Sequence, residues 1–295
     1  MREKTVFALG FFDGVHLGHQ ALLAACKDLA SKLSCKAGVV TFTNHPLAVV
    51  AGNAPKLINT PEDRKKLLAQ FHMDTVVEMP FDRELMELPW TAFLARLQEE
   101  FGAAGFVCGE DFRFGYKGEG TPAHLQAFCK EKEFVCAVVP EQTKDGIVIS
   151  STYIRKLLEQ GDMEKAGAFL GHPHILSGTV ISGKHIGTTL GTPTANLEIP
   201  DGVVIPKHGV YACRCFADGK VYLAVTNIGT RPTVNGEGVT VEAWLLDYQG
   251  DLYGKTLTLA FYDFLREEKK FDSLEELQEE IRKNALQARK LLEKY

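Results

Sequence analysis

Between an apolar run and an amphipathic one, residues 10–19 read Gly-Phe-Phe-Asp-Gly-Val-His-Leu-Gly-His. Residues three apart on a helix lie only ~60° apart around its axis, so His16 and His19 can face one anion. A helix start offers unpaired N–H groups and a partial positive charge, which suit phosphate. Gly10, Gly14 and Gly18 let the backbone come close to such a ligand. Histidines placed there donate hydrogen bonds to charge growing on phosphorus, stabilising an in-line displacement without a covalent intermediate. A His-x-x-His metal site is a competing reading, but zinc takes three or four ligands and no partner cluster stands nearby. A purely structural pair is the other.

A second island lies far downstream. In Gly-Thr-Pro-Thr-Ala-Asn (191–196), Thr194 and Asn196 occupy alternate positions. In an extended chain they point the same way and offer two oxygens to a hard cation such as magnesium. Glu242 sits inside Val-Glu-Ala-Trp-Leu-Leu (241–246); a carboxylate in an apolar strand is costly unless it is paired or functional. Two more stretches carry chemistry. In Ser-Ser-Thr-Tyr-Ile-Arg (150–155), the Ser151 and Thr152 hydroxyls can cap a helix and Arg155 can reach phosphate oxygens. In Gly-Glu-Asp-Phe-Arg-Phe-Gly (109–115), Asp111, Phe112 and Arg113 bring together a carboxylate, a ring and a cation. Such rings stack on a flat heterocycle or anchor a loop. Gly178 to His185 nearly spells a phosphate-binding loop, but it ends in His where magnesium needs Ser or Thr, and its β-branched centre belongs on a strand.

The elements that must position these residues differ between the halves. Up to about residue 160, short apolar runs (6–9, 37–42, 75–79, 105–109, 135–139) alternate with stretches of helical spacing. That alternation predicts βαβ crossovers and a parallel sheet, in which ligands bind beyond the carboxyl ends of the strands. The opening motif falls there, with a helix expected from near Gly18. Gly171 and Pro173 break a short helix, placing a boundary between domains 1–172 and 173–295. Beyond it, many short strands with an Asp218-Gly219 hairpin turn suggest a small antiparallel barrel. Ser273 and Glu276 have capping-box spacing at the start of a final amphipathic helix, expected to pack on the barrel through Leu274, Leu277, Ile281, Ala288, Leu291 and Leu292 in a mainly structural role.

Composition narrows the field. The chain has 295 residues, a net charge of −5 and 45% hydrophobic residues. No basic field invites nucleic acid or an anionic membrane, and no run approaches the ~18 apolar residues of a membrane span. No signal peptide is legible. The seven cysteines are scattered and read as reduced thiols. A cytoplasmic protein is expected, with self-association left open.

Phe-Asp-Gly-Val-His-Leu-Gly-His resembles the His-x-Gly-His signature of nucleotidylyltransferases, and residues 150–155 resemble that superfamily's second phosphate motif. With 109–115 and Phe42-Thr43-Asn44-His45-Pro46, where proline is common at the Asn44 position, the first half resembles the FMN adenylyltransferase domain of bacterial riboflavin kinase/FAD synthetases. Pro193 to Asn196, Gly209 to Ala212, Asn227 to Thr233, Leu252 to Gly254, Phe264 to Arg266 and Lys270-Phe271 resemble riboflavin kinase. The resemblance implies a Rossmann-like domain followed by a barrel, and ATP-dependent conversion of riboflavin to FMN and of FMN to FAD, with Mg2+. It implies catalytic roles for His16, His19 and Glu242, the last as base for the ribityl 5′-hydroxyl. Gly10, Phe12, Asp13, Gly18, Ser151, Thr152, Arg155, Gly187 and Thr194 would bind ATP or phosphate. Asp111, Phe112, Arg113, Asn227 and Arg231 would bind flavin, and Thr194 and Asn196 the metal. Thr188, Thr192, Trp244 and Asn284 depart from the family's common pattern. Two alternatives remain: a nucleotidylyltransferase for another substrate, and a flavin-binding regulator without catalysis.

Overall fold

The structure, a computed structural model, describes residues 3–182, 192–233 and 236–295, with nothing drawn from the side chains of 231–237. The chain divides into two compact units, Met1–Leu57 with Pro61–Ser151 and Ile58–Thr60 with Thr152–Tyr295.

The first unit holds β1 (Thr5–Leu9), α1 (Leu17–Lys32), β2 (Lys36–Phe42), α2 (Pro46–Val50), α3 (Pro61–Gln70), β3 (Thr75–Met79), α4 (Arg83–Glu87), α5 (Trp90–Phe101), β4 (Ala103–Gly109), α6 (Pro122–Glu131) and β5 (Val135–Val139), then a two-stranded ribbon of β6 (Thr143–Lys144) and β7 (Ile147–Val148). The five main strands are all parallel, in the order β3-β2-β1-β4-β5. The chain reverses its direction of winding at β1, so the crevice beyond β1 and β4 is the ligand position of a doubly wound sheet. Central β1 is buried at every residue, as a continuous apolar run requires when helices cover both faces. Phe7, Leu9, Phe106 and Cys108 join α5 and α6 in one core cluster through Leu94, Leu97, Leu125 and Cys129. Close packing explains a strand glycine: a Cβ on Gly105 would lie 2.2 Å from Val135 Cγ2 and 2.8 Å from its carbonyl.

The second unit begins with α7 (Ser151–Gln160), whose first residue belongs to the first unit, and α8 (Met163–Leu170). It continues with β8 (His174–Ile181), β9 (Ala195–Glu198), β10 (Gly209–Ala217), β11 (Lys220–Thr233), β12 (Gly236–Leu245), β13 (Thr256–Arg266) and α9 (Leu274–Leu292). Compactness thus divides the chain at 151/152, ahead of the 172/173 boundary read from sequence. Helix α8 packs on β8 and β13. Gly171 does end α8, in the left-handed region at φ 78°.

The strands close into an antiparallel barrel ordered β10-β11-β12-β9-β8-β13. Asp218 (φ 50°) and Gly219 (φ 73°) make the tight hairpin expected between β10 and β11. Helix α9 lies against the outside of the wall, where Ala285, Ala288 and Leu292 meet Val210, Ala212 and Val225. The stripe it buries differs from the expected one. Asn284 is buried, whereas Leu274 is 57% exposed. Ser273 Oγ accepts from Glu276 N at 3.1 Å, while Glu276 reaches the N–H of Asp272 rather than that of Ser273. No helix among the described residues is long and apolar enough to cross a membrane.

Candidate functional site

The first site grows from a turn that few side chains tolerate. After Gly10 the backbone enters left-handed geometry at Phe12 (φ 57°), Gly14 (φ 83°) and Val15 (φ 42°). For a bulky ring and a β-branched residue that is strained, and it is held from several sides. Thr41 Oγ1 donates to the Phe11 carbonyl at 2.8 Å, Arg64 Nη1 to the same carbonyl at 3.2 Å, and Ser151 Oγ to the Asp13 carbonyl at 2.9 Å. The turn delivers His16 as the N-cap of α1, whose first residue, Leu17, lies one ahead of the expected start near Gly18.

His16 Nδ1 accepts the N–H of His19 at 3.3 Å. A neutral His16 therefore carries its proton on Nε2, which leaves that nitrogen a donor. The two rings stack at 3.6 Å and 15°, and Phe12 leans on His19 at 5.1 Å. Loss of surrounding water, then the charge of His16 and that of Arg64, hold His19 well below the usual histidine range. Gly18 suits this stack: a Cβ there would lie 3.2 Å from the His16 ring and press on it.

A cavity of about 430 Å³ opens at this point, lined among others by Gly10, His16, Gly18, His19, Ser150 and Ser151, with Asp111, Phe112 and Arg113 on another wall. The start of α1 contributes to it, an N-terminus suited to an anion, together with the Ser150 and Ser151 side of the same unit. Phe12 and Asp13 are buried and do not line it. Thr152 and Arg155 follow Ser151 on α7, within the second unit.

Phe112 and Arg113 are shared with a second cavity of about 630 Å³, walled by Phe42, Phe81, Leu85, Phe93 and Phe114. Phe112 stacks on Phe114 at 5.5 Å and 18°. Asn44 explains itself here. Its amide donates to the Phe81 carbonyl and accepts the Phe81 N–H, both at 2.9 Å, clamping a cavity wall that a proline could not hold. His45 caps α2 through Leu47 N at 3.1 Å.

In the barrel, register assembles the second site. Asn196 faces Glu242, Glu242 faces Asn227, Asn227 faces Val210, and Val210 faces Arg266. Opposed residues of antiparallel strands share a face, so this row crosses the outer wall beneath α9. A cavity of about 320 Å³ lies there, lined by Thr192, Thr194, Asn227, Glu242, Trp244 and Arg266, with Leu277, Ile281 and Asn284 of α9 as its roof. Asn196 lines a neighbouring cavity, which Thr194 also borders. The final helix is therefore a wall of the site, beyond the structural role expected of it. Asn284 accepts from Arg266 Nε at 3.4 Å, and Glu280 one turn earlier supplies the carboxylate for Arg266 at 3.2 Å. Gly187 and the side chain of Arg231 lie outside the described residues.

Thr194 and Asn196 offer a hydroxyl and an amide oxygen, neutral hard donors that suit a magnesium ion completing its shell with phosphate and water. No group of three or more His, Cys, Asp or Glu placed to hold a metal occurs among the described residues.

Comparison with known proteins meets this geometry at both ends of the chain. The family model described as FAD synthetase matches residues 1–153, and that described as riboflavin kinase matches residues 170–292. The bifunctional riboflavin kinase/FMN adenylyltransferase of Listeria monocytogenes is 35% identical over 95% of this chain and 90% of its own length. The chain belongs to the bifunctional riboflavin kinase/FMN adenylyltransferase family. The Escherichia coli (strain K12) protein of that name is 36% identical over 98% of this chain and 93% of its own. A solved structure from Streptococcus pneumoniae, described as a macrolide-efflux protein, shares the fold at TM-score 0.88 and 29% identity, covering 98% of this chain and 95% of that one.

Sequence reasoning missed Arg64, the Asn44–Phe81 clamp and the α9 wall. Asn284, a polar residue inside an otherwise apolar helical stripe, was the available signal for the last of these.

Proposed function

We propose that this chain makes FAD from riboflavin in two steps, each at its own cavity. In the second unit, Glu242 takes the proton of the riboflavin 5′-hydroxyl as that oxygen attacks the γ-phosphorus of ATP; FMN forms and ADP leaves. Asn227 and Arg231 would orient the flavin, with Trp244 and α9 closing over it. Gly187 and Thr194 would bind the nucleotide, and Thr194 and Asn196 would hold Mg2+, which neutralises charge on the transferring phosphoryl group.

In the first unit a phosphate oxygen of FMN attacks the α-phosphorus of a second ATP; FAD forms and pyrophosphate leaves. His16 and His19 donate to the charge that grows there. Ser151, Thr152 and Arg155 would hold the triphosphate, while Gly10, Phe12, Asp13 and Gly18 shape the cradle around it. Asp111, Phe112 and Arg113 would meet the flavin beside the aromatic cavity. The reading includes a cytoplasmic setting, small-molecule ligands and domains meeting near 172/173.

The observation that carries the reading is that each unit builds a separate cavity around one of the two reactive sets, the stacked histidines in one and Glu242 in the other. Purified protein given riboflavin, ATP and Mg2+ should yield FMN and then FAD on chromatography. His19→Ala should stop at FMN. Glu242→Ala should make no FMN yet convert supplied FMN to FAD. A folded variant that lost both reactions would overturn the division of labour.

A further inference from the structure

Arg64 stands on α3 amid charged neighbours, yet it is 1% exposed and among the largest fully buried side chains. It does not line the first cavity. Its guanidinium donates through Nη1 to the Phe11 carbonyl at 3.2 Å and through Nη2 to the Phe42 carbonyl, and lies 4.6 Å over the Phe11 ring. Its Nε has no hydrogen-bond partner. Phe11 opens the strained turn and Phe42 ends β2, so one side chain ties the motif to the sheet edge. A buried arginine keeps its charge, and burying one is expensive unless it does something that an apolar residue cannot.

We propose that Arg64 is a positioning residue of the adenylyl-transfer site: clamped between the Phe11 and Phe42 carbonyls, it fixes the turn that presents His16 and His19 and keeps a permanent positive charge behind them. The inference rests on the reading of the first unit as an FMN adenylyltransferase. A fixed cation there does two things at once. It adds to the field that draws a triphosphate, and it opposes a second positive charge on His19.

His16 and Arg64 both disfavour protonation of His19, while Asp13, Glu78 and Glu62 face Arg64 and favour its charge. His19 therefore stays neutral through the ordinary histidine range and gains a proton only at lower pH. Losing the Arg64 charge raises its pKa, so the acid limb of adenylylation moves to higher pH.

Arg64→Gln removes the charge but keeps an N–H donor for one carbonyl; Arg64→Lys keeps the charge but cannot bridge two carbonyls in a fixed fork. Conversion of FMN to FAD is measured in the full chain from about pH 5 to 8, spanning the histidine range. Riboflavin phosphorylation by the other unit serves as internal control and is expected unchanged. The Gln variant should fall about 10- to 100-fold, the scale of a misplaced catalytic group, with its acid limb at higher pH. The Lys variant should recover the wild-type limb and only part of the rate. A Gln variant at wild-type rate, or Gln and Lys variants sharing one limb, overturns the proposal. Should the Gln variant fail to fold, the Lys variant decides: adenylylation at the wild-type rate overturns the proposal, and a reduced rate with unchanged riboflavin phosphorylation upholds it. Wild-type protein that makes no FAD from FMN overturns the functional reading instead.

Discussion

Ser151→Ala deletes one oxygen from the link between the opening motif and α7. The Ser151 hydroxyl donates to the Asp13 carbonyl at 2.9 Å, and Asp13 is 2% exposed, so water has little access to replace that donor. Removing a donor from a buried acceptor costs about 1–3 kcal/mol. For a unit of this size each kcal/mol lowers the melting temperature by roughly 2–4 °C, giving a fall of roughly 2–12 °C. The chain has two tryptophans, so a Trp244→Phe background leaves Trp90, on α5, as the sole fluorescent reporter of the first unit. In the Trp244-containing chain, FMN adenylylation should drop about 5- to 150-fold, those same 1–3 kcal/mol expressed as a rate, with riboflavin phosphorylation unchanged. Ser151→Thr, which keeps the hydroxyl at the helix start, should restore both stability and rate. An Ala variant that melts with its parent, or a Thr variant as impaired as Ala, would refute the idea that this bond secures the turn.

Asn44→Ala releases both hydrogen bonds to Phe81; at roughly 1 kcal/mol each it should destabilise the first unit by about 2 kcal/mol in chemical denaturation. It should also raise the KM for FMN more than that for ATP, because Phe81 borders the aromatic cavity alone. Gly105→Ala forces a Cβ to 2.2 Å from Val135 and should cost about 1–3 kcal/mol, as overpacking does, measured by the same denaturation. A stability equal to wild type would show that β4 and β5 can part without penalty.

The five parallel strands were legible because each is a short apolar run bounded by turn residues, and the barrel strands because they alternate about tight turns. Small elements were not: α2, α4 and the β6–β7 ribbon are each five residues or shorter and held by caps and loop contacts rather than by periodicity. The histidine motif could be placed because a strand end, glycines and a helix start coincide within ten residues. Arg64 was hidden by composition, since Pro-Glu-Asp-Arg-Lys-Lys reads as a solvated helix start. Its spacing held the clue. Arg64 lies three and four residues before buried Leu67 and Leu68, on the face those leucines turn inward. The cross-strand row of the barrel could not be read locally, because it depends on which residues five separate strands set opposite one another.

That row has an arithmetic consequence for how relatives of this chain can differ in length. A slip of one residue in β12 would turn Glu242 to the opposite side of the wall, as would a single inserted or deleted residue that shifted the segment carrying it. Natural length variation should therefore accumulate in the connections, such as the Asp247–Lys255 stretch between β12 and β13, and spare the strands themselves. A homologue with an odd-numbered insertion inside β12 would have to absorb it in a bulge before residue 242 to keep a working base.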